Sequence, residues 1–408
     1  MESGICRDYK KSSTNMYRMA ALAYSHLLPV RLLRIPDGSS SSSRNPHKFS
    51  PTIVCRSMTS TTSFGFQSLR ETFNIDVKQA EGRPLDVPLI SPFTIASSEL
   101  VKVENVAIRV ELSNGSVGWG EAPILPSVTA EDQPLAFDKA EEASGVEMAL
   151  IDAVANSVRV PLWRLFGGAS NSLTTDITIP IVSPAEAATL ATEYSKQGFK
   201  TLKLKVGKNV NADIEVLRAI KIAHPDFSFI LDANEGYTAD EAIEVLEKLN
   251  EMGVAPILFE QPVHRDDWEG LGNVSKVAKE KYGVSVAADE SCRSILDVKS
   301  IIYRNLADVI NIKIAKFGVI GALEIIEAAK NAGLALMIGG MVETRLAMGF
   351  SGHLAAGLGC FKFVDLDTPL LLAEDPVIGG YDVSGAVYTF NNTRGHGGFL
   401  NWDVNGST

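Results

Sequence analysis

Lysines and carboxylates recur in this chain at a steady pitch. Lys203 and Lys205 lie in TLKLKVG, and Asp232 and Asn234 in FSFILDAN. Glu260 lies in ILFEQP, Asp289 and Glu290 in VAADES, Lys313 and Lys316 in NIKIAK. Steps from Lys205 to Asp232, Glu260, Asp289 and Lys313 run between 24 and 29 residues. One such Asp or Glu alone reads as a helix cap or a solvated loop residue. The ordered series reads differently. Three carboxylates crowded together without partners would repel one another, and some would take up protons. A hard divalent cation resolves that, and an all-oxygen set without Cys or His suits Mg²⁺. Lysines on either side of such a cation could remove a proton from the carbon next to a bound carboxylate and return it on the other face.

The elements that must position these residues are strands feeding helices. In Thr201–Gly207, Leu202, Leu204 and Val206 alternate with Lys203 and Lys205, the period of a strand. Eight such strands are expected: Thr175–Pro180, Thr201–Val206, Ser228–Asp232, Ile257–Glu260, Val286–Ala288, Val309–Ile314, Ala335–Ile338 and Phe361–Asp365. Helical patterns fill most of the gaps between them. Eight βα units in roughly 200 residues predict a TIM (β/α)8 barrel, an α/β fold whose chemistry sits at the carboxyl ends of its strands. A doubly wound open sheet is the rival, and no Gly-rich dinucleotide fingerprint supports it. The eighth strand end adds Asp365 and Asp367.

Upstream the pattern is α+β. A strand passes into a Pro-punctuated loop (FNIDVKQAEGRPLDVPLISPFTIAS), Val101–Leu112 alternates well, and Asn114-Gly115 marks a hairpin. A helix is expected from about Ser144 to Val158. The division expected is a leader at 1–66, an α+β capping domain at 67–172, the barrel at 173–374, and a C-terminal segment at 375–408 that packs on the cap. His264 is expected to be structural, and Lys208 and Lys316 to lie on the surface. Glu343 could stand near the site or cap the helix that follows it.

Charge and composition narrow the function. The net charge is −11, although residues 1–66 hold nine bases against three acids. The body is therefore strongly acidic, which argues against nucleic acid as a partner. No apolar run reaches membrane-spanning length. The four cysteines show no CxxC or metal spacing, and two lie in the leader, which fits a reducing compartment. The leader is Ser/Thr-rich, basic and poor in acids, and reads as a disordered segment with transit-peptide character. It predicts a chloroplast location, with the cytoplasm as the alternative.

GWGEAP (Gly118–Pro123), QGFKTLKLKVGK (Gln197–Lys208), LDANEGY, EQPVHRDD, ADES and NIKIAK carry a resemblance. Over about residues 70–390 the chain resembles the enolase superfamily, muconate lactonising enzyme subgroup, and within it the dipeptide epimerases of the L-Ala-D/L-Glu type. The resemblance implies Mg²⁺ on Asp232, Glu260 and Asp289, with Lys205 and Lys313 as the two bases of a 1,1-proton transfer through an enolate. It places Lys203 beside the substrate carboxylate, where it lowers the pKa of Lys205, and Thr178 at a position that helps hold that carboxylate. Asp365 and Asp367 resemble the Asp-x-Asp clamp for a dipeptide's free ammonium. A small-molecule dipeptide is thus the expected partner, and homo-oligomerisation is left open. Cycloisomerase or o-succinylbenzoate synthase-like chemistry on the same site is the alternative, as is a non-catalytic barrel with a defective cap. Two departures stand out. Ser97 and Ser98 occupy a loop where glutamate-specific members carry arginine, which implies an uncharged second residue. The cap looks short between Val128 and Met148.

Overall fold

The computed structural model describes residues 75–124 and 144–402. The leader and most of the shortened piece of the cap lie outside them. Three antiparallel strands open the described chain: β1 (Val77–Thr94), β2 (Glu99–Leu112) and β3 (Val117–Ala122), in the order β1-β2-β3. The expected Pro-punctuated loop is part of β1. Pro84 and Pro88 pair opposite Val106 and Lys102. They are tolerated because β1 is an edge strand, where a missing N–H need not cost a ladder bond. The Asn114-Gly115 turn joins β2 to β3 as expected, with Gly115 at φ 83°.

The helix α1 (Ser144–Ser157) crosses the β2–β3 face. It lies so close that a Cβ on Gly118 or Gly120 would stand 2.1 Å from the helix carbonyl oxygens of Ala149 and Gly145. The GWG spelling of β3 is a packing requirement. Val106, Ile108, Val110 and Leu150 fill this small core.

After the one-turn helix α2 (Leu162–Leu165) and the short strand β4 (Ser172–Thr174), eight strands alternate with helices. They are β5 (Ile177–Ile179), β6 (Thr201–Lys205), β7 (Ser228–Asp232), β8 (Leu258–Glu260), β9 (Ser285–Ala288), β10 (Val309–Ile312), β11 (Ala335–Ile338) and β12 (Phe363–Val364). All neighbours pair parallel, in sequence order. The Asp176 N–H donates to Val364 O at 3.0 Å, which joins the first strand to the last and closes the barrel. The expected α/β barrel is the fold found. Two expected strands match the observed bounds, Ser228–Asp232 and Ala335–Ile338. The fifth begins one residue earlier than expected, at Ser285, and the other five are shorter than expected by one to three residues at their ends.

Leu202, Leu204 and Val206 enter the large core between strands and helices. A smaller core of Ile230, Leu258, Ala287, Val309, Met337 and Phe363 fills the barrel itself. Layered apolar side chains inside the barrel make it a packed core rather than a pore. The polar residues can gather only at the carboxyl end.

Two buried carboxylates tie the cap to its surroundings, Glu121 to the barrel and Asp152 to the C-terminal tail. Glu121 on β3 accepts from the Thr344 hydroxyl at 2.7 Å and backbone N–H at 3.0 Å, and from Asn105 Nδ2 at 2.7 Å. Asp152 on α1 accepts the backbone N–H of Trp119 and of His396. The tail strands Tyr381–Ser384 and Val387–Phe390 pair onward to β4, and the Trp402 ring lies edge-on against Trp119.

Candidate active site at the carboxyl end of the barrel

Register brings the series together. Lys205 pairs beside Asp232, and Asp232 beside Glu260. Asp289 follows β9 directly and Lys313 follows β10. The turn after β6 needs Gly207, at φ 101°, because a Cβ there would stand 2.5 Å from Ala233 O.

Each of the three carboxylates uses its oxygens in the same way. One oxygen is held from outside the cluster. Asp232 Oδ1 accepts from Asn234 N at 3.1 Å, Glu260 Oε1 from Asn311 Nδ2 at 2.7 Å, and Asp289 Oδ1 from Lys316 Nζ at 2.5 Å. The other oxygen faces a lysine. Asp232 Oδ2 lies 3.0 Å from Lys203 Nζ and 2.6 Å from Lys205 Nζ. Glu260 Oε2 lies 2.8 Å from Lys203 and Asp289 Oδ2 2.6 Å from Lys313. Glu260 Oε2 and Asp289 Oδ2 are buried and accept no well-aligned hydrogen bond despite those near ammonium groups. By donor type these three oxygens, without thiol or imidazole, suit a hard divalent cation, although among the described residues the carboxylates whose oxygens gather within 4.8 Å of one another are Asp176, Asp365 and Asp367.

Burial and charge set the protonation of these groups. Burial, with the Asp232 charge beside it, pushes Glu260 up to about 8. Burial also opposes the charge of Asp289, yet Lys313 and Lys316 overcome it and hold this carboxyl below its usual range. Burial disfavours the Lys313 ammonium, but Asp289 and Glu260 outweigh it and drive its pKa up. Lys203 is held charged in the same way, chiefly by Asp232 and Asp365.

Lys316 departs from expectation. Its side chain is tucked under Asp289, donating to both Oδ1 and the backbone O. Nothing in a single lysine three residues after Lys313 signals this, because the grip depends on the helix that begins there. Lys208 is exposed as expected. His264, expected to be structural, is exposed as well, its Nδ1 accepting from Asp266 N at 3.3 Å. Glu343 is buried, accepts from Met341 N at 2.8 Å, and is pushed up to about 8 by burial and by Glu121. The cap of the next helix is Thr344.

Gln261 is a second residue the sequence reading missed. It is fully buried and left-handed, at φ 34°. Its Oε1 accepts the N–H of Asp289 at 2.9 Å and of Ser291 at 3.1 Å. Its Nε2 donates to Val263 O at 2.9 Å and Ser291 Oγ at 2.8 Å. One side chain thereby ties the turn after β9 to the end of β8. Asn234 and Glu235, at φ 41° and 71°, are likewise left-handed. Three non-glycine residues in that region beside the carboxylates mark strain held at a functional site.

Thr178 and the two late aspartates come together at the seam of the barrel. Asp367 is fully buried and accepts from Thr178 N at 2.6 Å. Asp365 Oδ2 receives Lys203 Nζ at 2.6 Å. Asp176, also passed over by the sequence reading, lies beside both. Above the lysines a cavity opens, lined by Lys205, Lys313 and Asp289 on one side and by Phe93, Ile95 and Leu100 on the other. Ser98 of the cap loop also lines it.

A closed parallel barrel with acidic oxygens between basic amines at its carboxyl end defines a class, that of barrel enzymes built for metal-assisted proton transfer. The chain belongs to the enolase superfamily: the family described as enolase C-terminal domain-like matches residues 186–404. It is 68% identical to an L-Ala-D/L-amino acid epimerase of Populus trichocarpa, over 84% of this chain and 89% of that protein. The match runs over 374 positions, more than that share of this chain holds, so the Populus protein has residues that this chain lacks. Among solved structures it resembles the substrate-liganded L-Ala-D/L-Glu epimerase of Bacillus subtilis, with TM-score 0.75 and 33% identity over 79% of this chain and 99% of that one. It also resembles a dipeptide epimerase of Enterococcus faecalis complexed with Mg and the dipeptide L-Leu-L-Tyr. There the TM-score is 0.73 and the identity 31%, over 79% of this chain and 99% of that one.

Proposed function

We propose that this protein is a Mg²⁺-dependent dipeptide epimerase that inverts the α-carbon of the C-terminal residue of L-Ala-L-X dipeptides. The observation that carries this reading is the placement of Lys205 and Lys313 on opposite flanks of Asp232, Glu260 and Asp289. Those three carboxylates would hold the metal. When bound, it supplies the positive charge that makes loss of the proton next to the substrate carboxylate feasible. With a cation among the carboxylates, Asp232 and Asp289 would depend less on Lys205 and Lys313 as counter-charges, leaving those amines available to carry a proton.

Lys205 then takes or returns the α-proton on one face and Lys313 does so on the other. Lys203, held deep among Asp232, Glu260 and Asp365, stays charged and is placed to meet the substrate carboxylate. Asp365 and Asp367 receive the dipeptide's ammonium group. Among the described residues, the cap side of the cavity is formed by Phe93, Ile95, Ser98 and Leu100, none of them charged, which supports an apolar or uncharged X.

The test is α-proton exchange in D₂O with Mg²⁺ and a panel of L-Ala-L-X dipeptides. Deuterium should enter at the C-terminal residue as the D-epimer accumulates. Lys205→Ala and Lys313→Ala should each lose about 10²–10⁴-fold, the usual contribution of a positioned acid or base. Absence of exchange with every dipeptide, and no change on Lys313→Ala, would refute the reading. The basic, Ser/Thr-rich leader and the plant relative support import into the chloroplast, testable by fusing residues 1–66 to a fluorescent protein.

A further inference from the structure

Barrel closure brings together three carboxylates that are far apart in sequence. Asp176 precedes β5, and its N–H bonds Val364 O on β12. Two residues on, Thr178 N bonds Asp367. One oxygen each of Asp176, Asp365 and Asp367 lies within 4.8 Å of the other two. Three points no farther apart than that all lie within about 2.8 Å of a common centre, the length of a charge-assisted N–H···O bond. A primary ammonium has three donors and no acceptor, which matches three carboxylate oxygens one to one.

A second observation concerns partners. Asp176 is 3% exposed, and neither of its oxygens accepts a hydrogen bond. Asp367 Oδ1, on a fully buried residue, accepts none either. Buried carboxylates left this way are costly, and burial with Asp365 and Asp367 alongside drives the Asp176 carboxyl towards its protonated form. A cation seated among the three oxygens is what would keep it charged. Lys203 reaches Asp365, but its one charge is shared with Asp232 and Glu260.

We propose that Asp176 is the third acceptor of a receptor for a primary ammonium group, completed by Asp365 and Asp367. This rests on the reading of the substrate as a dipeptide with a free amino terminus, and extends its two-aspartate clamp to a residue outside the Asp-x-Asp pair. A tridentate receptor explains why the site should reject ligands whose amino group is acylated or missing.

The experiment is calorimetric binding at saturating Mg²⁺, with L-Ala-L-Phe against propionyl-L-Phe, which differs only in lacking the amine. The wild-type protein should prefer the dipeptide at least tenfold. Asp176→Asn should lose at least tenfold for the dipeptide and nothing for propionyl-L-Phe, with Mg²⁺ affinity unchanged. Equal wild-type affinity for the two ligands overturns the proposal. So does an Asp176→Asn preference equal to that of the wild type, or loss of a second bound Mg²⁺ in that variant. Because Asp176 accepts no hydrogen bond, its amide should fold. Failure to fold would make the carboxylate structural and also overturn the proposal. D₂O exchange separates this from the activity. Ammonium-dependent binding without exchange refutes the epimerase and leaves the receptor standing, and exchange indifferent to the ammonium does the reverse.

Discussion

Gln261→Ala isolates how the outer framework serves the carboxylates. The substitution removes four hydrogen bonds, to Asp289 N, Ser291 N, Ser291 Oγ and Val263 O. At about 1 kcal/mol net each, and with water able to enter the space left, the loss is about 3 kcal/mol. A domain of this size shifts by roughly 2–4 °C per kcal/mol, so the melting temperature should fall by about 6–12 °C. Stability alone would not distinguish this residue from any other buried amide. The discriminating readout is Mg²⁺ affinity by calorimetry. Gln261 fixes the backbone of Asp289, so that carboxylate should lose its aim and the affinity should fall about 10–100-fold, as when outer-shell partners of metal ligands are removed. Glu241→Ala serves as the control. It breaks the Thr238–Glu241 capping box on the surface and should cost about 1 kcal/mol with Mg²⁺ affinity unchanged. A Gln261→Ala protein that melts early yet binds Mg²⁺ as tightly as the wild type would refute the reasoning.

Ser98→Arg places a guanidinium at the cavity wall and should raise kcat/KM for L-Ala-L-Glu over L-Ala-L-Phe by roughly tenfold to a hundredfold, read from initial rates on both. Thr344→Val removes the hydroxyl that donates to buried Glu121 and should cost about 1.5–3 kcal/mol, measured by urea unfolding, by loosening the join of cap and barrel. Glu343 sets a pH dependence. Burial pushes it up to about 8, so between its unfolded pKa near 4.5 and that value the folded state holds a proton the unfolded state has lost. Its contribution must therefore fall as pH rises through that window. Glu343→Gln should flatten the loss of stability between pH 5 and pH 8, as read from melting curves.

The sequence by itself determined the barrel and which lysines and carboxylates gather at its carboxyl end. Period-two alternation in Thr201–Gly207 placed Lys203 and Lys205 on one face, and the even pitch of Asp232, Glu260, Asp289 and Lys313 is the pitch of the βα unit. Such patterns are local, and a one-dimensional string carries them whole. Tertiary structure alone decided the second ring of residues. Gln261 matters because a turn one βα unit away presents two N–H groups to it. Lys316 matters because the helix it opens swings its amine beneath Asp289. Asp176 joins Asp365 and Asp367 because the first strand closes on the eighth, across nearly 190 residues of chain. Contacts between residues so far apart leave no period or spacing to read, since they arise from closing a sheet on itself.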